Sequence, residues 1–201
     1  MGLRAEQREL TRRMVLGAVL DLVADGTLDE VSVPAVARRS GVSVATIYRY
    51  FPSKDDLLTA AAAEPSRRAL ASTERPATQP GDDEFATFLR TMWHEFSGNL
   101  PLLRHQISSD AGREMRRARL DDGRDRLAAY VEAFGVDPGS VEGQRLISLI
   151  MLVSGSVALV ELHDRQGVDV DDAIDTSLWA VQALIDATSR DVAAVDGETP
   201  P

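Results

Sequence analysis

The sequence has no cysteine, few aromatic residues and no long uninterrupted apolar run. The absence of cysteine excludes disulfides and thiolate-bound metals, and it suits a reducing cytoplasm. Only 5% of the residues are aromatic, but 44% are hydrophobic, which is enough for a packed core. The longest uncharged apolar stretch, residues 146–160, is short for a membrane span and is interrupted by Ser154, Gly155 and Ser156. We therefore expect a buried helix there and no membrane partner.

Charge is distributed unevenly along the chain. The net charge is −10 over 201 residues, which by itself disfavours a polyanionic partner. Residues 1–54, however, carry eight basic and six acidic side chains, a net +2, whereas residues 55–201 carry a net −12. Nucleic acid responds to the local field, so we expect any DNA contact in the first quarter. The polar start MGLRAEQRELTRR lacks the apolar run of a signal peptide, which favours a cytoplasmic protein.

Helical periodicity accounts for nearly the whole chain, and no stretch shows the alternation typical of strands. Apolar residues at i, i+4, i+7 and i+8 from Val15 predict a first helix. Serine caps predict three further helices, which begin after Ser32, Ser43 and Ser53, and Pro65 is expected to kink or break the last of them. A linker rich in proline, glycine and polar residues follows. Later helices are expected at about 84–98, from 101, and at 112–134, 140–165 and 170–190.

The stretch GVSVATIYRYFPSK, residues 41–54, predicts a short helix with two different faces. On a helical wheel, Val44, Ile47 and Phe51 share one side and can pack against the preceding helices. The opposite side carries two small residues and Arg49. A short helix, a tight turn and a second helix of this kind predict a helix-turn-helix, whose second helix enters the DNA major groove. The alternative is a surface helix with a solvated polar face.

Side chains on the exposed face suit DNA chemistry. The guanidinium of Arg49 can read guanine edges or hold a phosphate. Tyr48 and Tyr50 lie at the two rims of the face, where their hydroxyls can reach backbone phosphates, and Lys54 follows just after the helix. Ala45 and Thr46 are small, so the helix can approach another surface closely.

The segment SVPAVARRSGVSVATIYRYFPSKDDLL, residues 32–58, resembles the DNA-binding segment of the tetracycline-repressor (TetR) family of transcriptional regulators. The resemblance includes the SGVS turn, the TIYRYF helix, the SKDDLL start of the fourth helix and the earlier AVLDLVADG, and it covers about residues 12–60. It implies an all-α protein in which an N-terminal three-helix helix-turn-helix domain precedes a helical ligand-binding and dimerisation domain. The expected division is a DNA-binding domain at 1–54, a connecting helix and linker at 55–83, the second domain at 84–192 and a disordered tail at 193–201.

The resemblance also assigns DNA contacts to positions of this chain. These are Ser32, Pro34, Ser43, Val44, Ala45, Thr46, Tyr48, Arg49, Tyr50 and Lys54. Pro34 and Val44 depart from the polar residues frequent at their positions. That departure indicates fewer hydrogen bonds and more apolar contact, for example with thymine methyl groups.

For the second part, the resemblance implies a homodimer through the helices at about 140–165 and 170–190, and an unidentified small-molecule effector. Packing of both helices within one chain is the alternative. Side chains on helices that line the pocket in similar proteins are Met92, Trp93, Phe96, His105, Met115, Tyr130, Phe134 and Met151. For each of them, ordinary core packing is the alternative to ligand contact.

No enzymatic, metal or cofactor motif is evident. His94, His105 and His163 lie on different segments without ligand spacing, and no catalytic triad or phosphate loop is present. The arginine-rich segment 112–126 is interleaved with acids and is interpreted as a solvated helix face. The expected function is a ligand-responsive repressor that binds a pseudo-palindromic operator as a dimer and is released by a small apolar or amphipathic effector. A ligand-independent dimeric regulator and a helical-bundle enzyme are the alternatives.

Overall fold

The structure, a computed structural model, describes residues 3–64, 67 and 84–197. Within these residues it contains eleven α-helices and no strand, which confirms the all-α class. The predicted linker at 72–83 and the kink or break expected at Pro65 lie outside the described residues. The helices are α1 Leu3–Asp25, α2 Val33–Ser40, α3 Val44–Tyr50, α4 Lys54–Ala62, α5 Glu84–Ser97, α6 Leu100–Ser108, α7 Asp110–Ala118, α8 Leu120–Glu132, α9 Val141–Ser154, α10 Ser156–Val160 and α11 Val170–Gly197. A 3-10 turn at Leu28–Glu30 and a π-helical turn at Glu161–Arg165 accompany them.

The chain divides into two compact units. The described parts of Met1–Arg68 and Glu95–Arg116 form the first unit, and those of Ala69–His94 and Arg117–Pro201 form the second unit. The expected domain boundaries placed α6 and all of α7 in the second domain, whereas here α6 and most of α7 belong to the same unit as α1–α4. The helix α11 reaches Gly197, past the start of the expected tail at residue 193.

The core of the first unit joins helices from distant parts of the chain. Val15 and Val19 of α1, Ile47 of α3 and Leu57 of α4 are almost fully buried in one cluster. Leu102 of α6 is buried in the same cluster, which explains why α6 belongs to this unit. Burial of a leucine or isoleucine side chain contributes about 1.5–3 kcal/mol, so these contacts stabilise the unit more than helix propensity does.

A close junction holds α6 and α7 together in the first unit. A Cβ added at Gly112 would lie 1.8 Å from the carbonyl oxygen of Gln106, so only glycine permits this approach. Arg116 donates hydrogen bonds to the carbonyls of Gln106 at 2.6 Å and Ile107 at 3.0 Å, and Arg113 donates to Ser108 at 3.0 Å. These bonds satisfy carbonyls at the C-terminal end of α6 that have no partner within the helix.

Two helices expected to be continuous are broken. The predicted helix at 112–134 is two helices, α7 and α8, because Asp110–Ala118 packs on α6 in the first unit whereas Leu120–Glu132 packs in the second. The predicted helix at 140–165 ends at Ser154 and bends by 42° at Gly155. The indole of Trp93 donates to the carbonyl of Ser154 at 3.1 Å, and the hydroxyl of Ser177 donates to the carbonyl of Val153 at 2.8 Å. These side chains satisfy carbonyls that the break frees, so the break costs little.

The core of the second unit lies between α8, α9 and α11. Val131, Ile147, Ile150 and Ile185 are nearly inaccessible to solvent within one cluster. Two ion pairs join α5 to the start of α11, Arg90–Asp175 at 2.7 Å and His94–Asp171 at 3.2 Å.

Candidate nucleic-acid interface

Local hydrogen bonds define the two helices of the helix-turn-helix. The hydroxyl of Ser32 accepts from the amide of Ala35 at 3.3 Å and caps α2, and Ser43 accepts from Thr46 at 3.2 Å and caps α3. Between them, Gly41 ends α2 with φ of 71°, a left-handed conformation that glycine adopts without a Cβ penalty. The turn predicted at Gly41 is therefore explained by the positive φ of this residue.

Helix α3 is anchored on one side only. Ile47 is fully buried and Phe51, just after the helix, is nearly so, as the wheel predicts. Val44 was expected on the same buried side but is 38% exposed, which corrects that assignment. The reason is its position at the first residue of α3, where it lies beyond the packed turn that holds Ile47. Its exposure is compatible with the second role expected for Val44, an apolar DNA contact.

The residues expected to contact DNA lie at the surface of the first unit. Tyr48 is 48% exposed. The exposed side chains are Pro34, Ser43, Val44, Ala45, Tyr48, Arg49 and Lys54, and the half-buried ones are Ser32, Thr46 and Tyr50. Helix α3 thus presents a continuous open face, built from small residues with a tyrosine and an arginine, on a helix fixed by its buried side.

Three of these polar side chains already have local partners. Ser32 and Ser43 accept their cap hydrogen bonds, and the hydroxyl of Ser43 donates to that of Thr46 at 2.9 Å. Their oxygens therefore have less capacity to bind a second molecule than a free hydroxyl has. Arg49 and Lys54 take part in no ion pair among the described residues, so their charges are available.

Ion pairs neutralise other basic residues of the first unit. Arg39 pairs with Asp25, and Arg12 pairs with Glu64 at 3.0 Å. Arg67 donates two hydrogen bonds to Glu64, at 2.7 and 2.9 Å. Burial raises the pKa of Glu64, but the hydrogen bonds and charges of Arg67 and Arg12 outweigh it, so the pKa lies below its ordinary value of 4.5. Glu64 therefore remains a buried anion that joins α1 to the end of α4.

The candidate ligand residues are divided between the two units. The first unit contains Phe96, His105 and Met115, and the second unit contains Met92, Trp93, Tyr130, Phe134 and Met151. In the second unit, the ring of Tyr130 stacks on Phe85 at 4.9 Å and meets Phe134 edge-on at 5.2 Å.

His105 and Met115 have partners that the sequence did not suggest. The Nε2 atom of His105 lies 2.7 Å from a carboxylate oxygen of Asp55, the second residue of α4. The amide of Gln106 donates to the sulfur of Met115 at 3.4 Å. No pattern in the sequence signals the first contact, because 50 residues separate His105 from Asp55 and the contact depends on how α6 packs against α4. The second contact depends on how α7 packs against α6.

Each of the three histidines lies close to another protein group in the structure. A ring nitrogen of His163 lies 3.0 Å from the carbonyl oxygen of Val168, and His94 and His105 face aspartates. Among residues 3–64, 67 and 84–197, no group of three or more histidines, aspartates and glutamates could hold a metal ion.

Known proteins share this geometry and part of this sequence. The family model for bacterial regulatory proteins of the tetR family matches residues 16–61. The HTH-type transcriptional repressor KstR of Mycolicibacterium smegmatis is 39% identical over 79 residues, which are 39% of this chain and 39% of that protein. KstR of Rhodococcus jostii is 42% identical over 65 residues, 32% of this chain and 31% of its own. The chain therefore matches about two-fifths or less of the length of these relatives.

Solved structures match nearly the whole chain. A TetR transcriptional regulator from Rhodococcus sp. RHA1 superposes with a TM-score of 0.64 at 19% identity, covering 88% of this chain and 97% of that one. The TetR-like regulator LfrR from Mycobacterium smegmatis, solved with proflavine, gives 0.55 at 20% identity, covering 86% and 95%. At these identities the likeness shows the fold.

Fold and surface together define a helix-turn-helix protein with a second helical unit. Over residues 16–61 the chain matches the family model of bacterial tetR regulatory proteins, and its fold is the one found in solved TetR regulators. In the described part of the chain, no single helix is long and apolar enough to cross a membrane. One pair of helical segments, Val141–Ser154 and Ser156–Arg165, is long and apolar enough when taken together, but the two are bent by 42° and the match concerns length and composition only.

Proposed function

We propose that this protein is a dimeric repressor of transcription that reads a pseudo-palindromic DNA operator with helix α3. The observation that carries the proposal is the open face of α3, in which Arg49 and Tyr48 project beside small residues from a helix held by Ile47. A helix of this kind can enter the major groove, where base edges differ for every base pair. The KstR relatives are named as repressors, which favours repression over activation.

Different residues would perform base reading and phosphate binding. Arg49 would donate its guanidinium fork to a guanine edge, and the small side chains at 45 and 46 would permit close approach. Tyr48 and Lys54 would bind phosphates, which positions the helix without reading sequence. Val44 would contact an apolar base edge such as a thymine methyl group. The hydroxyls of Ser32 and Ser43 already accept capping hydrogen bonds. The contribution of these two positions to DNA binding would therefore come mainly from the backbone amides at the starts of α2 and α3.

A second copy of the chain would cover an exposed apolar face on α9 and α11. Leu152 is 63% exposed and Trp179 is 73% exposed, and Leu149 lies beside Leu152 on α9. Large apolar side chains concentrated on adjacent helices favour a protein partner over solvent. Arg145 on α9 and Asp186 on α11 are also exposed and offer opposite charges, which suits a self-complementary two-fold contact. Binding to a pseudo-palindromic operator would require such a dimer to present two copies of α3 about one DNA turn apart, roughly 34–36 Å.

The second unit would respond to a small apolar or amphipathic effector. The aromatic cluster of Phe85, Tyr130 and Phe134, beside the buried indole of Trp93, would provide an apolar surface for such a molecule. The structure of LfrR with proflavine shows that one protein of this fold holds an aromatic compound. An effector releases DNA only if it prefers one conformation of the dimer, since equal affinity shifts nothing. A dimer that binds DNA without an effector is the alternative.

Selection of bound duplexes from a random DNA pool tests the proposal. We expect the purified protein to enrich a two-fold symmetric sequence in this assay. Arg49→Ala should lose the enrichment, whereas Arg165→Ala, which removes an equal charge from the exposed end of the π-helical turn, should keep it. Equal enrichment by the Arg49 variant would refute base reading by α3. Repeating the selection with candidate aromatic or amphipathic compounds separates the effector-responsive regulator from the effector-independent one.

A further inference from the structure

Arg49 lies over an aromatic ring supplied by the next residue. Its guanidinium carbon is 5.8 Å from the centroid of the Tyr50 ring, within the range of a cation–π contact. Neighbouring residues on a helix normally point in different directions, but Tyr50 is the last residue of α3. Its ring therefore reaches the side chain that precedes it.

The ring of Tyr50 is itself fixed by the core. Tyr50 is half-buried and packs against the cluster that contains Ile47 and Leu57. Its centroid lies 6.4 Å from that of Phe51, which is buried, with the two planes tilted by 36°. Tyr50 was expected to bind phosphate through its hydroxyl from the rim of the DNA-facing surface, and that stays a prediction. The ring itself packs on the core with one part and lies beneath Arg49 with another.

We propose that Tyr50 is a positioning residue for sequence reading: its core-anchored ring holds the guanidinium of Arg49 in an aimed conformation. This inference rests on the proposed function and adds a specificity determinant to it. A contact through the ring face uses none of the five N–H donors of arginine, so the full fork stays free for a base. A carboxylate partner would order the side chain equally well but would occupy that fork.

The contact raises discrimination between sequences and leaves general attraction to DNA unchanged. An ordered arginine loses less conformational freedom when it binds a base edge, whereas the attraction of this arginine to phosphates in general depends mainly on its charge. A cation–π contact at an exposed site corresponds to about a 2- to 5-fold change in an equilibrium constant. Loss of the ring should therefore lower the ratio of specific to non-specific affinity by about that factor.

The test compares Tyr50→Leu and Tyr50→Phe, each with Arg49 intact and with Arg49→Ala. Affinities are measured by fluorescence anisotropy for the enriched duplex and for a scrambled duplex. We expect Tyr50→Leu to lower the affinity ratio about 2- to 5-fold and the conservative phenylalanine to restore it. In the Arg49→Ala background, the leucine variant should lower the ratio no further. Thermal unfolding of each variant verifies that the fold is retained.

A series of ring-fluorinated phenylalanines at position 50 tests the same inference without removing the ring. Each fluorine weakens the negative ring face at nearly constant shape, so discrimination should fall stepwise. The inference is overturned if phenylalanine loses as much as leucine, if the leucine effect persists without Arg49, or if fluorination changes nothing. Failure of the proposed function is distinguishable from these results, because Arg49→Ala alone would then leave the affinity ratio unchanged.

Discussion

Replacement of Leu152 by alanine is expected to dissociate the dimer without destabilising the single chain. Full burial of a leucine contributes about 1.5–3 kcal/mol, and 63% of Leu152 is still exposed in one chain. Alanine keeps the β-carbon, so each copy would lose about 1 to 1.5 kcal/mol at the interface. A two-fold contact contains two copies, which gives about 2 to 3 kcal/mol and a dissociation constant raised about 30- to 150-fold.

Sedimentation equilibrium over a range of concentrations measures this constant directly. Leu10→Ala is the matched control, because Leu10 is 52% exposed on α1 and carries the same substitution away from the proposed interface. Its dissociation constant should equal that of the unchanged protein. An unaltered constant for Leu152→Ala, an equal change for Leu10→Ala, or a chain that stays monomeric at micromolar concentration would each refute the reasoning.

Three further predictions concern packing, charge and phosphate contact. Gly112→Ala should lower the free energy of unfolding by about 2–3 kcal/mol or more, because its Cβ would meet the Gln106 carbonyl oxygen at 1.8 Å. The control, Gly17→Ala, has nothing within 4 Å of the added Cβ and should raise the free energy of unfolding by up to about 1 kcal/mol. Thermal melts compare the two variants. Glu64→Gln should cost about 1–2 kcal/mol at pH 7, since its arginine partners are partly exposed. Because the folded pKa of Glu64 is lowered, its contribution is present above pH 4.5 and is lost as the pH falls further, so urea titrations should show the two proteins converging in acid. Tyr48→Phe should weaken binding to all duplexes alike by about 2- to 10-fold, and a changed base preference would contradict its phosphate role.

The local rules of helix formation made the helix-turn-helix predictable. Ser32 and Ser43 cap helices because a hydroxyl reaches an amide three residues ahead, and Gly41 ends α2 because its φ is positive. Each cause lies within a few residues, so the sequence pattern contains it. The same holds for Ile47, whose burial follows from its place on the helical wheel.

Features that depend on distant residues were not predictable. The break at Gly155 is stabilised by donors from Trp93 and Ser177, which are 61 and 24 residues from the carbonyls they bind. Membership of α6 in the first unit depends on Leu102 packing with α1 and α4, and a helical stripe does not name its partner.

Part of the candidate site was visible in the sequence and part was not. The pattern around Arg49 indicated a DNA-facing surface, because small and polar residues alternate there with buried ones at helical spacing. It did not indicate that Tyr50 supports the arginine, since adjacent residues on a helix rarely meet. Nor did it indicate the exposure of Val44, which depends on where the packed turn of α3 begins.

Methylation interference on the enriched duplex tests the central claim, that the open face of α3 reads bases in the major groove from two copies of the chain. Dimethyl sulfate marks guanine at N7 in the major groove and adenine at N3 in the minor groove. We predict interference at guanine N7 in two clusters about 34–36 Å apart, and loss of that pattern for Arg49→Ala. Interference confined to minor-groove adenines, or a single cluster unaffected by the Arg49 substitution, would contradict the account.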